Sequence, residues 1–269
     1  MRRAALRPGL LALLALGGCS APPSAGGGGP NGASSPEQHV PPYAARPFET
    51  FTRANAVAIA LREWRAFGSV VDDEPPDTRY LPLELRPDRQ PGLWQRVGDY
   101  WWFGQDGETA GSAWTGKYNG QGVPYQGEPA AWSAAFVSYV MRAAGAGGRF
   151  YYTPTHSDYI NAAVRGFLGL EAERPEAYAP QPGDLICTGR ESSAGMRFDD
   201  LPTGRFPSHC DLVVEAKPKL LTVVGGNVAG GVTMKHVPTT EAGAVAGPDG
   251  VPLDSRYGWF VVLRVGYDA

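Results

Sequence analysis

Charge is scarce in this chain: 24 Lys and Arg with 27 Asp and Glu make only 19% of 269 residues, for a formal net charge of −3. Such a balance offers no basic surface for a phosphate backbone, so binding of nucleic acid by charge is excluded. With 43% hydrophobic residues the chain is also too apolar to be disordered throughout. Cysteine is rarer still. Three cysteines cannot staple a disulfide scaffold, and a chain of this length buries enough surface not to need one. A long hydrophobic run is lacking as well, since Leu10 to Leu16 is far shorter than the roughly 20 residues of a membrane span. No internal repeat, phosphate loop, dinucleotide fingerprint or zinc-helix signature occurs, so neither cofactor nor metal is expected. What the chain has in plenty is glycine and proline, 36 and 25 residues, about twice the usual combined share of roughly 12%.

The N-terminus reads as a targeting segment. Arg2, Arg3 and Arg7 form a positive region, Leu10 to Leu16 a short apolar one, and Gly17-Gly18 lead into Cys19. Leu16-Gly17-Gly18-Cys19 resembles the lipobox of bacterial lipoproteins, which implies removal of residues 1–18 and lipidation of Cys19. Several acyl chains on one residue anchor a protein stably where a single chain does not. Ser20 is not the Asp associated with inner-membrane retention, so the resemblance implies the periplasmic face of the outer membrane. Residues 19–47, rich in Gly, Pro and Ser, read as a flexible tether in which His39 is solvated. The membrane, through this lipid, is therefore one expected partner.

Residues 48–269 read as a single globular domain. Phe51, Ala54, Val57, Ala58, Leu61 and Trp64 recur at helical spacing over 50–67, and Gly68 is a stop. Residues 72–92 look like a long surface connection, and a second helix is expected over 92–103. Trp94, Tyr100, Trp101, Trp102, Phe103, Trp114 and Tyr118 are dense enough to line a groove, although filling a core is the commoner use of such residues. Glu128-Pro129 opens a third helix whose stripe is Trp132, Ala135, Phe136, Tyr139, Val140 and Ala143. A fourth is expected from Ser157 to Phe167. After Pro182-Gly183 the period becomes that of strands: 184–188, 210–216, 220–224, 232–237 and 259–265. Helices followed by consecutive strands predict an α+β fold with a mostly antiparallel sheet.

Four short motifs fall in a telling order. Ala131-Trp132-Ser133-Ala134-Ala135-Phe136-Val137 looks like the W-C-A-x-F-V opening of the catalytic helix in NlpC-type and CHAP-type papain-like peptidases and amidases. Pro182-Gly183-Asp184-Leu185 is similar to their P-G-D-L strand, Ser208-His209-Cys210-Asp211-Leu212-Val213-Val214 to their x-H-V-G-I-V strand, and Gly225-Gly226-Asn227 to a G-G-N that supplies the third polar member in some branches. The closest resemblance is to bacterial envelope lipoproteins of unknown function that carry Ser in place of Cys at the helix opening. It implies a papain-like core over 128–269, with 48–127 as a helical extension, and Ser133, His209 and Asn227 as the catalytic set. By the same resemblance the substrates are peptidoglycan peptides or amides, and peptidoglycan or an envelope protein is a partner.

The departure at Ser133 matters. A thiol at a helix start beside His can ionise near neutral pH, whereas an alcohol needs a general base during attack. Asn can orient an imidazole but brings no charge to stabilise imidazolium. Two readings stay open: a lipid-anchored Ser-His-Asn hydrolase, and a non-catalytic binding protein that uses the same cleft. Trp132, His156 and Asp158 are candidate substrate contacts in it. For His156 and its neighbours the alternative is a helix start in which Ser157 or Asp158 caps free N–H groups. His236 is read as ending a strand at the surface.

Cys187 and Cys210 fall on neighbouring strands of an oxidising compartment, and a disulfide between them is expected. Cys210 is a poor substitute nucleophile because adjacent strand residues point to opposite faces, away from the His209 ring.

Overall fold

The computed structural model of the chain describes residues 50–104 and 131–267, apart from Asp77, Arg79 and Leu168. Cys19, His39, Glu128-Pro129, Trp114 and Tyr118 lie outside the described residues. Four α-helices come first among them: α1 Arg53–Ala66, α2 Leu93–Gly104, α3 Ser133–Ala143 and α4 His156–Val164. Six strands follow: β1 Leu170–Glu173, β2 Leu185–Gly189, β3 Ser208–Lys217, β4 Leu220–Val228, β5 Gly231–Pro238 and β6 Trp259–Val265. The strands form one sheet of order β1-β6-β2-β3-β4-β5, and every neighbouring pair is antiparallel. The fold is α+β. None of these helices is long and apolar enough to cross a membrane.

Local chemistry sets the helix bounds. Thr52 caps α1, its Oγ1 accepting from the Asn55 amide at 3.0 Å. Gly68, at φ +92°, lets the chain leave at the other end in the left-handed region that other residues disfavour. The aromatic run of α2 is core rather than groove. Tyr100 and Trp101 are buried, and the Tyr100 ring meets those of Trp132, Phe136 and Tyr139. Gly104 is required at the α2–α3 contact, because a Cβ there would stand 2.6 Å from the Ala135 carbonyl oxygen.

Pleat parity divides the sheet into two faces. Cys187, Cys210, Leu212, Val214 and Val224 belong to the cluster that includes the helices. Ile186, Val213, Val223, Val237 and Val262 belong to a second cluster on the other face, with Val245 and the partly buried Tyr178 and Tyr257. Both faces are covered, which is why these strands read as continuous apolar runs rather than alternating ones. The expected disulfide is present: Cys187 and Cys210 are direct cross-strand partners of β2 and β3, buried and bonded through sulfur.

The connection over 72–92 differs from expectation. It holds two short 3₁₀ turns, Leu83–Leu85 and Pro87–Arg89, and fully buries Asp88. The Asp88 carboxylate accepts from Trp132 Nε1 at 3.0 Å and Arg86 Nη2 at 2.8 Å, while its amide donates to the Gly230 carbonyl at 2.8 Å. This segment therefore ties the entrance of α3 to the β4–β5 hairpin.

Candidate functional site

Ser133 is the first residue of α3, and His156 the first of α4. Their side chains meet where the two helix starts converge, with Ser133 Oγ 2.6 Å from His156 Nε2. The other ring nitrogen, Nδ1, is hydrogen-bonded to the Tyr159 hydroxyl one helical turn on. Ser133 is 5% exposed, His156 4%, and Tyr159 is buried. Burial holds the His156 imidazole well below its ordinary value and so neutral, and the nearby His209 acts in the same direction. Burial also raises the Tyr159 phenol well above its usual value, so it stays protonated. A neutral imidazole bonded on both sides must donate from one nitrogen and accept at the other. Two tautomers satisfy this geometry, and in the one whose Nδ1–H donates to Tyr159, Nε2 can accept the Ser133 hydroxyl proton.

His209 follows the second face of the sheet. It shares parity with Asp211, and its Nε2–H donates to Asp211 Oδ1 at 2.8 Å. The other Asp211 oxygen accepts from Lys235 Nζ at 2.6 Å. Asp211 and Lys235 are buried. Burial would raise the Asp211 carboxyl, but the Lys235 ammonium and His209 outweigh it and hold the group below the usual carboxylate range. Burial lowers His209 as well, against the pull of Asp211. The rings of His156 and His209 stand edge to face with centroids 5.3 Å apart, so the two groups adjoin at the start of β3.

Gly225 makes the second group possible. It lies on β4 between Asp211 on β3 and Thr233 on β5, and a Cβ there would fall 1.7 Å from Asp211 Oδ1. Its neighbour Gly226 faces the helices, where a Cβ would meet Phe136 at 2.7 Å.

Two cavities open on this centre. One, of about 710 Å³, is lined by Ser133 and His156 with Tyr80, Leu81 and Phe206. The other, of about 520 Å³, is lined by His209 and Lys235 with Thr188, Arg256 and Tyr257. Arg190, Glu191, Asn227 and Ala229 border both. Three of these four hold a left-handed backbone without being glycine: Glu191 (φ 50°), Asn227 (φ 60°) and Ala229 (φ 48°). Such conformations cluster at functional sites because the surroundings must impose them.

The residues singled out from sequence are thus placed as follows. Ser133 pairs with His156 and His209 with Asp211; among the described residues no hydrogen bond joins Ser133 to His209 or His209 to Asn227. The Nε2 of His209 is instead taken by Asp211 on its own strand, and its ring meets the helical layer edge to face at His156. Asn227 instead borders both cavities, its Oδ1 accepting from Arg86 Nη2 at 3.4 Å. Trp132 is 0% exposed and bonded to Asp88, and it supports the start of α3 from within the core. Asp158 is turned away toward Thr153 Oγ1 at 2.9 Å and Arg205 at 2.9 Å. The capping roles are corrected as well: Thr155 is the α4 N-cap and makes no side-chain cap, while Ser157 Oγ accepts from the Phe206 amide. His236 lies within β5 and bonds Asp73. Tyr159, Asp211 and Lys235 were not singled out. The i, i+3 spacing of His156 and Tyr159, and the i, i+2 spacing of His209 and Asp211, were the available signals.

A family model described as "Uncharacterized protein conserved in bacteria (DUF2272)" matches residues 88–265. The chain belongs to this family. No curated protein and no solved structure matches it. The matched span runs from the buried Asp88 to the end of β6 and contains Ser133, His156, Tyr159, His209, Asp211 and Lys235. Only α1 and the first 3₁₀ turn of the described elements fall outside.

Proposed function

We propose that this DUF2272 member is a hydrolase of amide or peptide bonds in which Ser133 is the nucleophile. The observation that carries the reading is the 2.6 Å contact between Ser133 Oγ and His156 Nε2 at the start of a helix. In acylation Oγ attacks the scissile carbonyl carbon while its proton passes to Nε2, which then gives it to the departing amine. Tyr159 orients the imidazole through Nδ1. The α3 start has no side-chain cap, which leaves its first amides available to negative charge developing on the carbonyl oxygen. The resemblance to NlpC-type and CHAP-type enzymes supports a papain-like core, with helix α3 in the position of the catalytic helix. It also points to cell-wall peptides as substrate. The lipobox-like Leu16-Gly17-Gly18-Cys19 supports placement in the cell envelope on a lipid anchor.

One observation favours a second reading, a cleft that binds a wall fragment or an envelope protein without turnover. The partner of His156 is a phenol, which offers no negative charge to an imidazolium. A fluorophosphonate probe separates the two. Covalent labelling of the wild type that is lost in Ser133→Ala supports the hydrolase; a folded protein that binds a muropeptide yet takes no label supports the binding cleft.

A further inference from the structure

Lys235 has no part in the acylation just described, yet it is the most deeply buried lysine of the described residues, at 1% exposure. It comes from β5, while the carboxylate it pairs with comes from β3, with the whole of β4 between them. The side chain can cross because Gly225 leaves that stretch of β4 bare: any Cβ there would fall on the Asp211 carboxylate itself. Burying an ammonium and a carboxylate together is costly, and a well-packed apolar pair of similar volume is often as stable or more so. Stability alone is therefore a weak reason for this lysine.

Its geometry suggests a different one. Asp211 has two oxygens, and each has one donor: Lys235 Nζ at 2.6 Å on Oδ2, His209 Nε2 at 2.8 Å on Oδ1. The carboxylate is thereby held in one orientation, and the His209 proton is held on Nε2. The second nitrogen, Nδ1, is left as a buried lone pair with no hydrogen-bond partner. Edge to face with this ring, at 5.3 Å between centroids, is the imidazole that touches Ser133. The geometry points to Lys235 as a positioning residue: acting through Asp211, it fixes the tautomer of His209 and spares the adjoining His156–His209 pair a positive charge. The inference rests on the reading of Ser133 and His156 as nucleophile and base, and deepens it.

The charged and titratable groups that face the pair come from four elements. Asp211 lies on β3 with His209, Lys235 on β5, Tyr159 on α4 with His156, and Arg190 follows β2. Of these, Asp211 is the one anion, and it favours protonation of both rings. Lys235 is its direct counter-charge. Without it, an uncompensated carboxylate beside two imidazoles would draw a proton onto them. A protonated pair cannot accept the Ser133 proton.

The test needs no substrate. Histidine-labelled protein is titrated by heteronuclear NMR of the ring nitrogens, in the wild type, Lys235→Met and Lys235→Arg. The wild type is expected to show His209 protonated on Nε2 alone and both rings neutral at neutral pH. Lys235→Met should raise the midpoint of the pair by at least one pH unit, a tenfold gain in proton affinity. Lys235→Arg should restore the wild-type curve. A folded Lys235→Met protein with an unmoved titration overturns the proposal. If that variant does not fold, the wild-type spectrum still decides, since His209 found protonated on Nδ1, or cationic at neutral pH, contradicts it. Failure of Ser133 to take a fluorophosphonate would remove the hydrolase reading and leave the titration result standing.

Discussion

Ser133 and His156 meet through Oγ and Nε2 at 2.6 Å across 23 residues of chain, each as the first residue of its helix. Two helix starts are brought together here by what lies behind them. Asp88 anchors Trp132 before α3, and Ser138 Oγ donates to the Thr153 carbonyl just before α4. The contact is thus built into the packing of the helical layer. The His209–Asp211–Lys235 group, by contrast, belongs to the sheet and meets the helical layer where the His209 ring adjoins His156.

The Cys187–Cys210 bridge should be a structural one. It ties β2 to β3 at the residue between His209 and Asp211 and spans a sequence separation of 23. On the loop-entropy account it should contribute about 3 kcal/mol. Denaturant unfolding of the Cys187→Ala/Cys210→Ala protein against the wild type measures this. Thiol titration of unfolded, unreduced protein should find neither of these cysteines free; two free thiols would refute the bridge.

Much of the fold was readable in the sequence, and the reasons differ by element. β6 was found to the residue because Trp259 to Val265 is apolar at every position but Arg264 and buried on both faces. β1 was missed because Leu170–Glu173 is a four-residue edge strand with a single buried side chain, too little pattern to see. The ends of α1, α2 and α4 were displaced by one to three residues, whereas α3 begins at Ser133, at least four residues after the Glu128-Pro129 opening expected for it. Ser133 and His209 stood out because each lies in a recognisable motif. His156 was named only as a substrate contact or helix start, and Lys235 was given no role; topology explains why. Lys235 reaches Asp211 only because β3, β4 and β5 are consecutive in the sheet and Gly225 leaves a gap, neither of which spacing along the chain expresses. His156 looked like an exposed helix start; only its packing against Ser133 and His209 shows it to be buried.

Gly225 should tolerate no side chain. Gly225→Ala would set a methyl group on the Asp211 carboxylate, displacing it from His209, and is expected to cost about 1–3 kcal/mol as overpacking alone. Gly148→Ala is the control, since a Cβ there meets nothing within 4 Å; its effect should stay within roughly 0.5 kcal/mol. Thermal or urea unfolding of the two variants makes the comparison, and equal effects would show that the gap over β4 is not needed.

Stability should fall on acidification through the histidine range. His156 and His209 are both held below the ordinary value of 6.5, chiefly by burial. Below that value the unfolded chain binds more protons than the folded one, so the contribution is fully present above it and is lost as pH falls. Urea midpoints from about pH 8 to about pH 5 should decline in the wild type and decline less in a His156→Gln/His209→Gln protein. Parallel curves would mean that the two imidazoles are not the buried neutral groups described.

Cys19 should carry lipid. The charged start, the short apolar run and Leu16-Gly17-Gly18-Cys19 motivate the expectation. Metabolic labelling with a fatty-acid analogue should mark the full chain and not Cys19→Ala. Equal labelling of both would remove the anchor from the account.

The central claim is that Ser133 is an activated nucleophile with His156 as its base. Intact-protein mass spectrometry of the folded, disulfide-bonded chain after fluorophosphonate treatment tests it most directly. The account predicts a single adduct, mapped to Ser133, absent from Ser133→Ala and formed about 100-fold more slowly in His156→Gln. A folded wild-type protein without an adduct at Ser133, or one labelled as fast in His156→Gln, would contradict it.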